Sequence, residues 1–191
     1  MMALINDMKN DKDHPGEPKL VVSNNTDADG LAFARQNSVE TFAYSIKKNK
    51  DNFIFEETTL HILKEKNIDV ICLAGFMKIL SENFIKSFSK PILNIHPSLL
   101  PSFRGLNTFQ RALNAGSLIH GATVHQITKN VDQGPILGQV IMRIPENTTA
   151  EQMEEDLLPQ EHLLYKSVLR GFLKGNGKKI LLIGPVAGPQ N

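Results

Sequence analysis

Two short apolar runs with a helical stretch between them constrain this chain more than any other feature. They are Asp69-Val-Ile-Cys-Leu-Ala-Gly75, closed by glycine, and Pro91-Ile-Leu-Asn94, closed by a polar tip. Continuous apolar runs of this length, bounded by turn residues, are the pattern of strands buried on both faces of a sheet. The same alternation fills the rest of the chain. Helical spacing over residues 1–11 gives way to a Pro/Gly loop and a buried strand at 20–22. A helix at 29–36, a strand at 41–43, a basic stretch at 47–50 and a helix at 52–66 follow. After the two runs, with a helix at 82–88 between them, come a helix at 108–115 and two hairpin strands at 121–127 and 136–143. One helix is read over 148–174, with Pro159 as the point where it could break or kink, and a last strand over 178–183. Strands alternating with helices imply an α/β sheet, whose ligands sit outside the carboxyl ends of the strands.

At 191 residues and 41% hydrophobic content the chain is long enough for one sizeable core and short for two ordinary domains. Lys plus Arg number 21 against 20 for Asp plus Glu, so no net field draws the chain to nucleic acid or a membrane surface. Cys72 is the only cysteine, which excludes an intramolecular disulfide framework and a cysteine-based zinc site and fits a reducing, cytoplasmic setting. No apolar run approaches the roughly 18 residues of a membrane span.

The most unusual residues lie where the second run ends. In Asn94-Ile-His96 the two-residue strand period points Asn94 and His96 to one side and Ile95 to the other. Prolines 97 and 101 then hold the strand tip. In isolation Asn94 could cap a turn and His96 could satisfy a carbonyl. An amide and an imidazole on a rigid strand tip are also what a catalytic site requires. Asp132, in Asn130-Val-Asp-Gln-Gly-Pro135, reads by itself as an Asx turn. If it reaches an imidazole, it favours the charged ring and orients it. His125 reads as a structural histidine that buttresses the cleft, and His14, His61, His120 and His162 have no convergent partners.

Four ungapped blocks carry a family resemblance. They are Leu73-Ala-Gly-Phe-Met-Lys-Ile-Leu80, Leu93-Asn-Ile-His-Pro-Ser-Leu-Leu-Pro101, His120-Gly-Ala-Thr-Val-His125 and Val131-Asp-Gln-Gly-Pro135. In this order and spacing they resemble phosphoribosylglycinamide formyltransferase, over residues 1 to about 175. The resemblance implies a Rossmann-like, mostly parallel sheet flanked by helices, the formyltransferase fold. It implies a single domain over residues 1–191, with 176–191 as a C-terminal tail. It also implies transfer of a formyl group from the cosubstrate 10-formyltetrahydrofolate to phosphoribosylglycinamide in purine biosynthesis, without a metal.

The implied catalytic residues are Asn94, His96 and Asp132, with Asn94 and charged His96 donating to the developing oxyanion. The implied folate contacts are Met77, Lys78, Ile79, Leu80, Asn94, Thr128, Lys129, Asn130, Val131 and Asp132. Gly75, Pro97 and Glu161 are the implied contacts of the nucleotide substrate, Glu161 on its ribose hydroxyls. The side chains of Met77 to Leu80 could instead be ordinary core, and Glu161 a solvated helix face. Partners are expected to be these small molecules alone, with no nucleic acid and no membrane, and the chain a monomer or weak homodimer.

Departures from the family pattern set further expectations. Family members open with a hydrophobic strand and a Gly-Ser-Gly-Ser-Asn type loop that cradles the substrate phosphate. Residues 1–7 align with the helix after that loop, so the phosphate site is expected to be incomplete, through either biology or the choice of initiation codon. Asn52 stands where an arginine is usual, and Leu158-Pro159 where a helix with a polar residue is usual. Alternatives within the fold are formyltetrahydrofolate deformylase, which shares the Asn/His/Asp set, and an inactive folate-binding remnant. Methionyl-tRNA formyltransferase requires a further nucleic-acid-binding domain.

Overall fold

The computed structural model describes residues 1–45 and 49–184, with the main chain alone at 49–51; of the expected basic stretch, Lys47 and Lys48 lie outside it. The described residues divide into two compact units, Met1–Ile92 and Leu93 onward.

The first unit begins with helix α1 (Met2–Asn10). Strand β1 (Leu20–Ser23), helix α2 (Asp29–Gln36) and strand β2 (Glu40–Ala43) follow as a β-α-β step, with β1 and β2 parallel and Val21 opposite Thr41. Ile5, Ala34 and Val39 form a small core there, joined by Met1, Val21 and Phe33. Helix α3 (Asn49–Glu65), strand β3 (Ile71–Leu73) and helix α4 (Glu82–Phe88) complete the unit. Ser81 caps α4 by accepting the Phe84 N–H at 3.0 Å. Two expectations are corrected here. Residues 20–22 were read as a buried strand and the run from Asp69 as a strand buried on both faces, yet every residue of β1 and β3 is only half-buried. An apolar run shows that a strand could be covered, whereas coverage depends on what packs against it, and among the described residues the β1–β2 sheet has two strands.

The second unit carries strand β4 (Ile92–His96), helix α5 (Thr108–Asn114), strands β5 (Ile119–Gln126) and β6 (Ile136–Arg143), helix α6 (Ala150–Leu173) and strand β7 (Ile180–Ile183). In the sheet β4 pairs antiparallel with β5, β5 antiparallel with β6, and β6 parallel with β7. The α/β class stands, and the antiparallel pairing of β5 with β6 is the expected hairpin. The last strand, expected over 178–183, is β7 at 180–183, paired along the sheet edge, where Ile-Leu-Leu-Ile offers β6 an apolar partner.

Helix α6 lays Met153, Leu157, Leu164, Val168 and Leu169 into the core at helical spacing. Its start is fixed by a capping box in which Thr149 and Gln152 satisfy each other's main-chain N–H. Pro159 does not break it. Pro159 and Glu155, whose carbonyl the proline cannot serve, are both on the exposed side, where solvent can reach that carbonyl.

Candidate active site

The cluster at the end of β4 is assembled by strand register. Asn94 lies opposite His125 and His96 opposite Thr123, so the alternate residues of two adjacent strands share one face. Asn94 Nδ2 stands 3.4 Å from His125 Nε2. Asp132 arrives from the loop between β5 and β6 with φ +53°, a left-handed conformation that aspartate tolerates better than most residues. Gly134 permits this approach, since a Cβ at that position would collide with the Gln126 carbonyl oxygen.

The carboxylate then sits between two imidazoles. Its Oδ2 lies 3.6 Å from His96 Nδ1 and its Oδ1 lies 3.6 Å from His125 Nε2. Both separations exceed a hydrogen bond. Oδ2 also accepts the Gly105 N–H at 2.9 Å, which fixes the carboxylate independently of either ring.

The two histidines play different parts. His125 is fully buried, and burial pushes its pKa down, outweighing the Gln126 carbonyl and the Asp132 charge that act the other way. The neutral ring has one proton, which its contacts assign to Nδ1, 3.3 Å from the Gln126 carbonyl. Nε2 is then an acceptor for the Asn94 amide, and that contact orients the carboxamide. His96 is buried at 7% exposure, with Nδ1 toward Asp132 and Nε2 3.1 Å from the Phe103 carbonyl. Nε2 therefore donates to the Phe103 carbonyl, while Nδ1 faces the carboxylate from beyond hydrogen-bond distance. The arrangement can offer an amide N–H and an imidazole N–H to a carbonyl oxygen that gains charge, beside a carboxylate that can take up a proton.

The structure thus brings together Asn94, His96 and Asp132. It adds His125, read from sequence as a buttress, and the main-chain groups of Gly105 and Phe103. The signal for His125 was the strand pairing, which places it beside Asn94. Thr128, Lys129, Asn130 and Val131 form the largely exposed approach to Asp132, with the Thr128 hydroxyl on the Asn130 carbonyl at 3.3 Å. Pro97 lines a cavity of about 130 Å³ with Ser98, Leu99, Phe103 and His120.

Gly75 and Met77 to Leu80 belong to the first unit. Gly75 is exposed at φ +69°, and Met77 and Ile79 are 75% and 71% exposed, so these two side chains are not core. Glu161 is half-buried on α6 rather than solvated, and its pKa is pushed up to about 7, chiefly by burial and further by the Glu154 charge. Among the described residues, no group of three or more His, Cys, Asp or Glu side chains could hold a metal ion.

Glu161 leads to a pH prediction. Between pH 4.5, the ordinary value, and about 7 the folded chain holds a proton that the unfolded chain has released. Stability therefore falls as pH rises through this window and levels off above it. Thermal melts at pH 5 and pH 8 should show Glu161→Gln gaining on the unsubstituted chain at the higher pH. Equal differences at both pH values would remove the burial account.

A sequence model of the formyl transferase family matches residues 1–169. The phosphoribosylglycinamide formyltransferase of Haemophilus influenzae is 39% identical over 163 residues, which are 85% of this chain and 77% of that one. The crystal structure of the phosphoribosylglycinamide formyltransferase of Brucella melitensis is 40% identical, with TM-score 0.84 over 91% of this chain and 88% of that one. The corresponding structure from Anaplasma phagocytophilum is 31% identical, with TM-score 0.85 over 96% and 92%. The chain belongs to the formyl transferase family and, within it, to the phosphoribosylglycinamide formyltransferases. These relatives are named for transfer, which does not favour the deformylase alternative.

Proposed function

We propose that this enzyme transfers a formyl group from 10-formyltetrahydrofolate to the glycine amine of 5-phosphoribosylglycinamide. The observation that carries the reading is the Asp132 carboxylate set between His96 and neutral His125, with the Asn94 amide oriented beside them. The amine attacks the formyl carbon, forming a new C–N bond while the carbonyl electrons move onto oxygen. Asn94 Nδ2–H and His96 Nε2–H donate to that oxyanion, His96 exchanging its contact with the Phe103 carbonyl for it. Asp132 holds His96 from the other nitrogen and takes the proton lost by the amine, through water. On collapse the bond from the formyl carbon to folate N10 breaks and N10 gains a proton.

Met77, Lys78, Ile79 and Leu80 are proposed folate contacts, and so are Thr128 to Asp132. Support for the first group is an exposed apolar pair that its own chain does not cover. Gly75, Pro97 and Glu161 are proposed for the nucleotide substrate. We place the enzyme in the cytoplasm, as a monomer or weak homodimer without nucleic-acid or membrane partners. No helix among the described residues is long and apolar enough to cross a membrane.

The test is a spectrophotometric formyl-transfer assay with both substrates, with formate measured in parallel. Folate product that appears only when glycinamide ribonucleotide is present supports the proposal. Formate release independent of that amine overturns it in favour of hydrolysis. Folate binding without either reaction overturns it in favour of a binding protein.

A further inference from the structure

The segment between β3 and α4 has the features of a presented surface. Lys78 is exposed beside the exposed Met77 and Ile79. Among the described residues, no main-chain hydrogen bond reaches residues 76–80. A loop that satisfies neither its polar backbone nor its apolar side chains is unstable in one conformation unless its ends are held.

Both ends are held by neighbouring residues of α3. Phe55, itself buried, stacks on Phe76 with ring centroids 6.3 Å apart and planes at 18°. Glu56 is 5% exposed and accepts the Ser81 N–H at 2.9 Å on Oε1 and the Ser81 hydroxyl at 2.5 Å on Oε2. The Asn52 amide adds a longer contact to Oε1 at 3.4 Å. A buried carboxylate is expensive unless its oxygens are satisfied, so this one is built for its donors. Helix capping does not require it, because Ser81 Oγ already receives the Phe84 N–H. What Glu56 fixes is Ser81 itself, the residue at which the segment joins α4.

We propose that Phe55 and Glu56 are positioning residues that hold residues 77–80 in one open conformation. The proposal rests on the assignment of this segment to the folate.

The experiment combines amide hydrogen exchange of the full chain with steady-state kinetics for Glu56→Ala, Glu56→Gln and Ser81→Ala. In Glu56→Ala, exchange across 77–81 should quicken and KM for 10-formylfolate should rise, each on the order of tenfold. The kcat should stay within about twofold, because no group at the reacting atoms is touched. Glu56→Gln, which keeps an acceptor for the Ser81 N–H, should recover most of the loss. Should Glu56→Ala fail to fold, the other two variants carry the same comparison. Faster exchange with an unchanged folate KM upholds the positioning and overturns the folate assignment. Unchanged exchange across 77–81 in folded variants overturns the proposal.

Discussion

Replacing His96 by alanine is expected to lower kcat by roughly a hundredfold or more, about 3 kcal/mol of barrier, with little change in folate affinity. The imidazole is 7% exposed and is held on one nitrogen by the Asp132 charge and on the other by the Phe103 carbonyl. The ring is thus held in place beforehand, and its Nε2–H exchanges the Phe103 carbonyl for the oxyanion as charge develops, which makes its loss felt in the transition state more than in the bound ground state. Fold should survive, since Asp132 keeps the Gly105 N–H and Asn94 keeps His125. Rates from the formyl-transfer assay, with circular dichroism as the check on folding, decide the matter. A near-native rate in a folded variant would remove His96 from the chemistry.

Leu164→Ala is expected to destabilise the fold by about 2–5 kcal/mol, against a typical total of about 5–15. Leu164 is fully buried on α6, and a Cβ added at Gly138 of β6 would stand 3.2 Å from its Cδ1, so helix and sheet already meet closely there. Neighbouring Tyr165 donates its hydroxyl to the Leu93 carbonyl at 3.0 Å, one residue before Asn94. Loosening α6 therefore disturbs the catalytic strand as well as the core. Urea unfolding should show a lower midpoint at unchanged slope, while Leu158→Ala, at a position 49% exposed, stays within about 0.5 kcal/mol of the parent. Equal losses at both positions would contradict the packing described for α6.

Much of this was legible from residues alone, for identifiable reasons. The helix expected at 82–88 is α4 at its observed bounds, and the two-residue strand period puts Asn94 and His96 on one face. Whether β1 and β3 are covered was not legible, because coverage belongs to neighbours and not to the run itself. The continuity of α6 through Pro159 depended on which side of the helix faces water. His125 was undervalued because its role comes from a cross-strand partner 31 residues away, and the part played by Glu56 comes from Ser81, 25 residues away.

The pairing of Asn94 with His125 also sets how this site responds to insertions and deletions. Adding one residue to β4 before Asn94, or to β5 after Val124, would turn one member of the pair to the opposite face while leaving composition and fold class nearly unchanged. Length changes in the Asp132 loop face a weaker constraint, since two fixed points, the contact with the Gly105 N–H and the close approach at Gly134, bracket only a few residues. Natural or engineered length variation should therefore be tolerated at Thr128 to Asn130 long before it is tolerated in either strand.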